Sequence, residues 1–175
     1  MQRTVTNYCH LIMRRLFSIA LLLVLALSCT KTKSRVDAGS SIEIYLLQSV
    51  IPVPAKCQIS SGTLRPEPLV ANDDIIEYNE NDHEYRVTAT AYEKIRSLKG
   101  RIPFAITVDK EVVYYGFYNE PILNSSCEHS IAMEAWNGDN VLTMELGYPG
   151  GFSTVDDQRN HPKLIETLRR QHKLK

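Results

Sequence analysis

Residues 86–127 read RVTATAYEKIRSLKGRIPFAITVDKEVVYYGFYNEPILNSSC, and the change of period inside them decides the fold class. Ala91, Ile95 and Leu98 recur at i, i+4 and i+7, which predicts a short helix over about 90–99 with one apolar stripe. Thr88 or Thr90 can cap its start, with Glu93 three beyond Thr90 as in a capping box, and Gly100 is expected to end it. From residue 102 the period drops to two. Ile102, Phe104, Ile106 and Val108 share one face of a strand, and 112–118 is apolar on both faces, which predicts a central strand. The short link Asp109-Lys110-Glu111 makes the two strands antiparallel neighbours.

Working outward, residues 41–48 (SIEIYLLQ) alternate as a half-buried first strand. Residues 49–68 hold Pro52, Pro54, Pro66 and Pro68, each denying a ladder its N–H, and are expected to be irregular. Two short strand-like pieces, 75–78 and 84–87, flank Asn79-Glu80-Asn81-Asp82 and read as an acidic, solvated hairpin. It lacks the Gly and the alternating ligand positions of a calcium loop. Residues 129–136 and 140–148 flank Asn137-Gly138-Asp139, a strong hairpin signal. Asn160 is placed to cap a last helix over about 161–171, with Pro162 in its first turn. The expectation is one α+β domain, 41–175, built on a mostly antiparallel sheet with a helix on one face.

The front of the chain has a different character. Residues 16–27 (LFSIALLLVLAL) are apolar, follow Arg14-Arg15 and precede Ser28-Cys29. Twelve residues are too few for a bilayer-spanning helix, which needs about 20, but suit the core of an export signal. Residues 1–28 are therefore expected to be a signal peptide, with Met13 a better start than Met1 and Cys9 left without a mature role. Ala26-Leu27-Ser28-Cys29 resembles a bacterial lipobox, with Ala26 where Leu is usual. That resemblance implies lipidation at Cys29, a tether over 29–40, and residence in the cell envelope on the outer membrane, facing the periplasm or the surface. An ordinary secretory signal cut near Ser28 is the alternative.

Without residues 1–28 the chain keeps 17 basic and 20 acidic residues, a net of −3, which argues against a nucleic-acid partner. Cys57 and Cys127 either pair in an oxidising compartment or lie apart as buried thiols; the sequence leaves both open. No His has a metal-ligand partner at helical spacing and the cysteines lack C-x-x-C spacing, so neither metal nor cofactor is expected. His83, His161 and His172 read as solvated. Cys127 two residues before His129 invites a thiol-hydrolase reading, though no oxyanion donor or orienting group is evident and no catalytic residue is assigned. Trp136, Tyr148, Asp157, Arg159 and Asn160 are the expected interaction surface, for an envelope protein or small envelope component.

The run from Tyr85 through Ala105-Ile106-Thr107-Val108-Asp109 to Tyr114 resembles the periplasmic head module of the SecD translocase subunit. Pro103 to Asp109, Tyr114 to Phe117, Leu146-Gly147-Tyr148-Pro149 and Asp157 to Pro162 are together similar to a group of exported bacterial lipoproteins of unassigned role. Lys110 stands where that pattern has Gly. The SecD resemblance covers only about 50 residues. It implies a compact α+β module that works by binding or moving. The leading expectation is a non-enzymatic envelope lipoprotein; the alternative is a hydrolase using Cys127 and His129.

Overall fold

Eight strands follow one another as β1 (Ile42–Pro52), β2 (Ile59–Leu64), β3 (Ile75–Asn79), β4 (Glu84–Val87), β5 (Arg101–Val108), β6 (Glu111–Asn119), β7 (Cys127–Glu134) and β8 (Val141–Tyr148). Helix α1 (Ala89–Arg96) lies between β4 and β5, and α2 (Pro162–Arg170) follows β8. The structure is a computed structural model describing residues 40–123, 125–136, 138–150 and 154–175. The expected signal, Cys29 and most of the tether lie outside the described residues. The strands form one sheet in the order β2-β1-β5-β6-β7-β8-β4-β3, antiparallel except for the β6–β7 pair. The fold is α+β.

Both helices pack on one face. Ala91, Tyr92 and Ile95 of α1 and Leu164 and Leu168 of α2 meet Ile42, Ile44, Phe104, Ile106, Tyr114, Tyr118, Ile131, Met133, Leu142 and Met144 of the sheet. The alternation read from 102–108 places Phe104, Ile106 and Val108 in that core, while Ala105 faces the other way. β6 lies between β5 and β7, which explains its two apolar faces. Asp109 and Lys110 form the β5–β6 turn with φ of 54° and 64°, the left-handed pair of a two-residue type I′ turn.

Several boundaries differ from the sequence reading for local reasons. The prolines of 49–68 bracket strands instead of breaking them: Pro52 ends β1 opposite Ile59, and Pro66 and Pro68 follow β2. β1 therefore continues into a hairpin. Thr88 caps α1 by accepting the Ala91 N–H at 3.3 Å, and the helix stops at Arg96, four residues before Gly100. His161, not Asn160, caps α2: its Nδ1 accepts the Lys163 N–H at 3.2 Å. β7 ends at Glu134, and Gly138, Asp139 and Asn140 all have positive φ, so the connection is longer than a two-residue turn and Trp136 lies outside the ladder.

The β1–β2 hairpin builds a second layer. β1 pairs with β5 only from Ile42 to Leu46; beyond a register shift at Leu47 it pairs with β2 alone. The hairpin turns across the face opposite the helices, where Leu47 and Ile59 pack on Ala105, Tyr115 and Phe117. The Gly62 N–H donates to the Tyr115 hydroxyl at 3.3 Å. Within the hairpin turn, Cys57 is disulfide-bonded to Cys127 at the start of β7, with the Cα atoms 5.3 Å apart.

Two expected outcomes follow from this packing. A Cβ on Gly116 would press on the Ile131 carbonyl oxygen and approach the Phe104 Cζ to 2.6 Å. Gly116→Ala should therefore cost about 1–3 kcal/mol in urea unfolding. The bridge joins residues 70 apart, so its reduction should lower stability by about 2–5 kcal/mol, and an unchanged midpoint in reductant would show that the hairpin docks without it.

Candidate functional site

On the face opposite the helices, the hairpin covers β5 and β6 and is bonded to the first residue of β7, and Glu134 and Glu145 lie beyond it on β7 and β8. Pairing of Ala132 with Glu145 and of Glu134 with Thr143 sets Glu134 and Glu145 diagonally across one face of the β7–β8 ladder. With Trp136, Tyr148, Pro149 and Gly150 they line a cleft of about 400 Å³. The Trp136 and Tyr148 rings pack edge to face, with centroids 6.0 Å apart and planes at 85°. Tyr148 is buried against Cys127 and Ala132, whereas Trp136 remains 42% exposed.

The cleft is held from several directions. The Tyr148 hydroxyl donates to the Leu123 carbonyl at 2.9 Å. Tyr92, from the helical layer, donates to the Ala135 carbonyl at 3.2 Å and accepts the Gly138 N–H at 3.1 Å, fixing the backbone on both sides of Trp136. Arg101 donates to Asn119 Oδ1 at 2.9 Å and to Ser125 Oγ at 3.1 Å, and its Nη1 lies 3.8 Å from the Cys57 sulfur. The loop before Cys127 is thus tied to both the sheet and the bridge.

The charge of the cleft is one-sided. Burial, and then the neighbouring charge of Glu145, push the Glu134 carboxyl above its ordinary value. Neither acid takes part in an ion pair among the described residues, whose pairs use Asp157, Glu77, Glu93, Glu120 and Glu111. In the next row, Glu84 accepts a long hydrogen bond of 3.5 Å from Thr143 Oγ1.

The remaining members of the expected surface stand elsewhere. Arg159 donates through Nε and Nη2 to both Asp157 oxygens, at 2.9 and 2.8 Å, and through Nη1 to the Met144 carbonyl at 2.9 Å. The Tyr78 hydroxyl donates to Asn160 Oδ1 at 2.9 Å, and Asn160 Nδ2 donates to the Glu80 carbonyl at 2.9 Å. These three residues latch the segment before α2 onto β8 and the β3–β4 hairpin, so their polar groups are taken up by the fold. His83, read from sequence as solvated, has its side chain only 15% exposed, with Nε2 3.7 Å from Asp157 Oδ2.

His129 belongs to another cleft, of about 210 Å³, which it lines with Tyr115, Ser130, Asp156 and Gln158. Its Nδ1 hydrogen-bonds the Thr154 hydroxyl. Cys127 is 2% exposed and its sulfur is bound to Cys57, so no thiolate is available to pair with His129. Among the described residues no three His, Cys, Asp or Glu side chains are grouped to hold a metal ion.

Sequence reasoning placed Trp136 and Tyr148 on one surface and missed Glu134 and Glu145. Glu134 stands two residues before Trp136, a signal of shared strand face, but Glu145 joins them only through the β7–β8 register. No protein-family model, curated protein or solved structure matches this chain.

The Asp157–Arg159 pair predicts a pH dependence. Side-chain hydrogen bonding from Arg159 holds the Asp157 carboxyl at about 2, below its ordinary 3.8. A depressed folded-state value means that the stabilisation is present above 3.8 and is lost as pH falls through about 2. Asp157→Asn should therefore lower the denaturation midpoint at neutral pH and flatten its fall across that acid window. Parallel acid limbs for the two proteins would show that the pair contributes nothing.

Proposed function

We propose that this chain is a lipid-anchored, non-enzymatic binding module of the bacterial cell envelope, held on the outer membrane through Cys29. The observation that carries the binding role is the cleft on the open sheet face, where Trp136 stays 42% exposed beside a buried Tyr148. A large aromatic side chain held rigidly at the surface is the usual anchor of a recognition site. The compartment is supported by residues 14–29, which have the order of a lipoprotein export signal, and by the Cys57–Cys127 bridge. Disulfides form and persist outside the reducing cytosol.

The anchor is tested by growing bacteria that express the full chain with an alkyne-tagged fatty acid and fractionating the membranes. The native chain should take up label and sediment with membrane, and Cys29→Ser should do neither. Equal labelling of the two, or none in either, would overturn the anchor.

A further inference from the structure

We infer that the Trp136–Tyr148 cleft receives an organic cation, an ammonium or guanidinium group on a short aliphatic stem, held between the tryptophan ring and the carboxylates of Glu134 and Glu145. The inference rests on the proposed binding role and names its ligand class. At about 400 Å³ the cleft falls in the range of small-ligand sites, roughly 300–1,000 Å³.

Charge complementarity selects the occupant. The lining carries two acids and no basic side chain. Across β7 and β8 those acids sit as diagonal neighbours on one face, a placement in which like charges repel. Some acids elsewhere in the domain are neutralised internally: Glu77 has Arg86, Glu120 has Lys99, and Asp157 has Arg159. Glu134 and Glu145 have no such partner among the described residues, and burial first, then the charge of Glu145, raises the affinity of Glu134 for a proton. A bound cation would supply the missing charge to both.

The aromatic wall favours an organic cation over a bare one. Trp136 leaves ring surface open, and an indole face attracts ammonium and guanidinium groups while its apolar body covers the stem. A calcium ion would take roughly 6–8 oxygen ligands, more than the two carboxylates provide. A neutral sugar would also stack on Trp136, but it wants donors as well as acceptors. Here the two carboxylates offer acceptors and the Tyr148 hydroxyl already donates to Leu123, which leaves the Trp136 indole N–H as the side-chain donor of the cleft. The Tyr92 hydroxyl fixes the backbone on either side of Trp136 and the Tyr148 ring packs against the indole, which lowers the ordering cost of binding.

Trp136 is the single tryptophan of the chain, so its fluorescence reports on this cleft alone. The test titrates the full chain at low salt with agmatine, with an arginine tripeptide blocked at both ends, and with chitotriose as the neutral sugar. Saturable quenching by either cation, weakened by added salt and reduced about tenfold or more in affinity by Glu134→Gln or Glu145→Gln, is the expected result. Tighter binding of agmatine points to a free amine and of the tripeptide to a partner's side chain; both uphold the proposal. Near-UV circular dichroism of each variant checks that the fold is kept. Absence of saturation by both cations, affinity in both glutamine variants unchanged from the native chain, or binding of chitotriose alone would overturn it. Fatty-acid labelling at Cys29 is read separately, so failure of the titration leaves the anchor standing, and loss of the anchor leaves the titration interpretable.

Discussion

The covalent bond between Cys57 and Cys127 organises everything on the face of the sheet away from the helices. It fixes the end of a hairpin that shares only the first part of β1 with the main sheet to the first residue of β7, two strands beyond β5. Ala105, Tyr115 and Phe117, which the helices cannot reach, gain their cover from Leu47 and Ile59 of that hairpin. The same bond buries Cys127 with Ala132 and Tyr148, and so sets the floor from which Trp136 projects. A single constraint on chain entropy thus supports both a second small core and the wall of the cleft.

The helical face is held differently, by side-chain burial with polar groups satisfied at its margins. Tyr78 and Tyr85 stack at 4.4 Å between ring centroids inside the main core, and burial raises the affinity of both hydroxyls for their protons. Tyr78 still reaches Asn160, so the core is linked to the latch in front of α2. After α2 the chain returns to the β3 edge, where the Tyr78 N–H donates to the Lys173 carbonyl at 2.7 Å and the Lys175 N–H to the Tyr78 carbonyl at 2.9 Å. These bonds cover backbone groups that an edge strand would leave open to pairing with another chain.

Paired and unpaired charges occupy different parts of the fold. Asp157, Arg159, Glu77, Arg86, Lys99 and Glu120 are paired and tie segments together. Glu134 and Glu145 are unpaired among the described residues and stand beside the exposed ring. The contrast arises from register: a slip of one residue between β7 and β8 would send Glu145 to the helical side and bring Leu146 out.

Element types were legible in the order of residues wherever a period persisted: the i, i+4, i+7 stripe of α1, the alternation of β5, the double-faced β6 and the hairpins around Asn79–Asp82 and Asp109-Lys110. Those depend on forces between residues a few positions apart, which a local pattern records. It misled where punctuation was ambiguous, because prolines can end strands as readily as prevent them, and because Asn160 found a better partner in Tyr78 than in its own helix. That β6 and β7 run parallel, that Cys57 meets Cys127, and that Glu145 joins Glu134 and Trp136 emerges only in the folded chain. Such pairings require distant segments to arrive at one place, and their positions are set by the packing of the whole sheet, which no window of sequence contains.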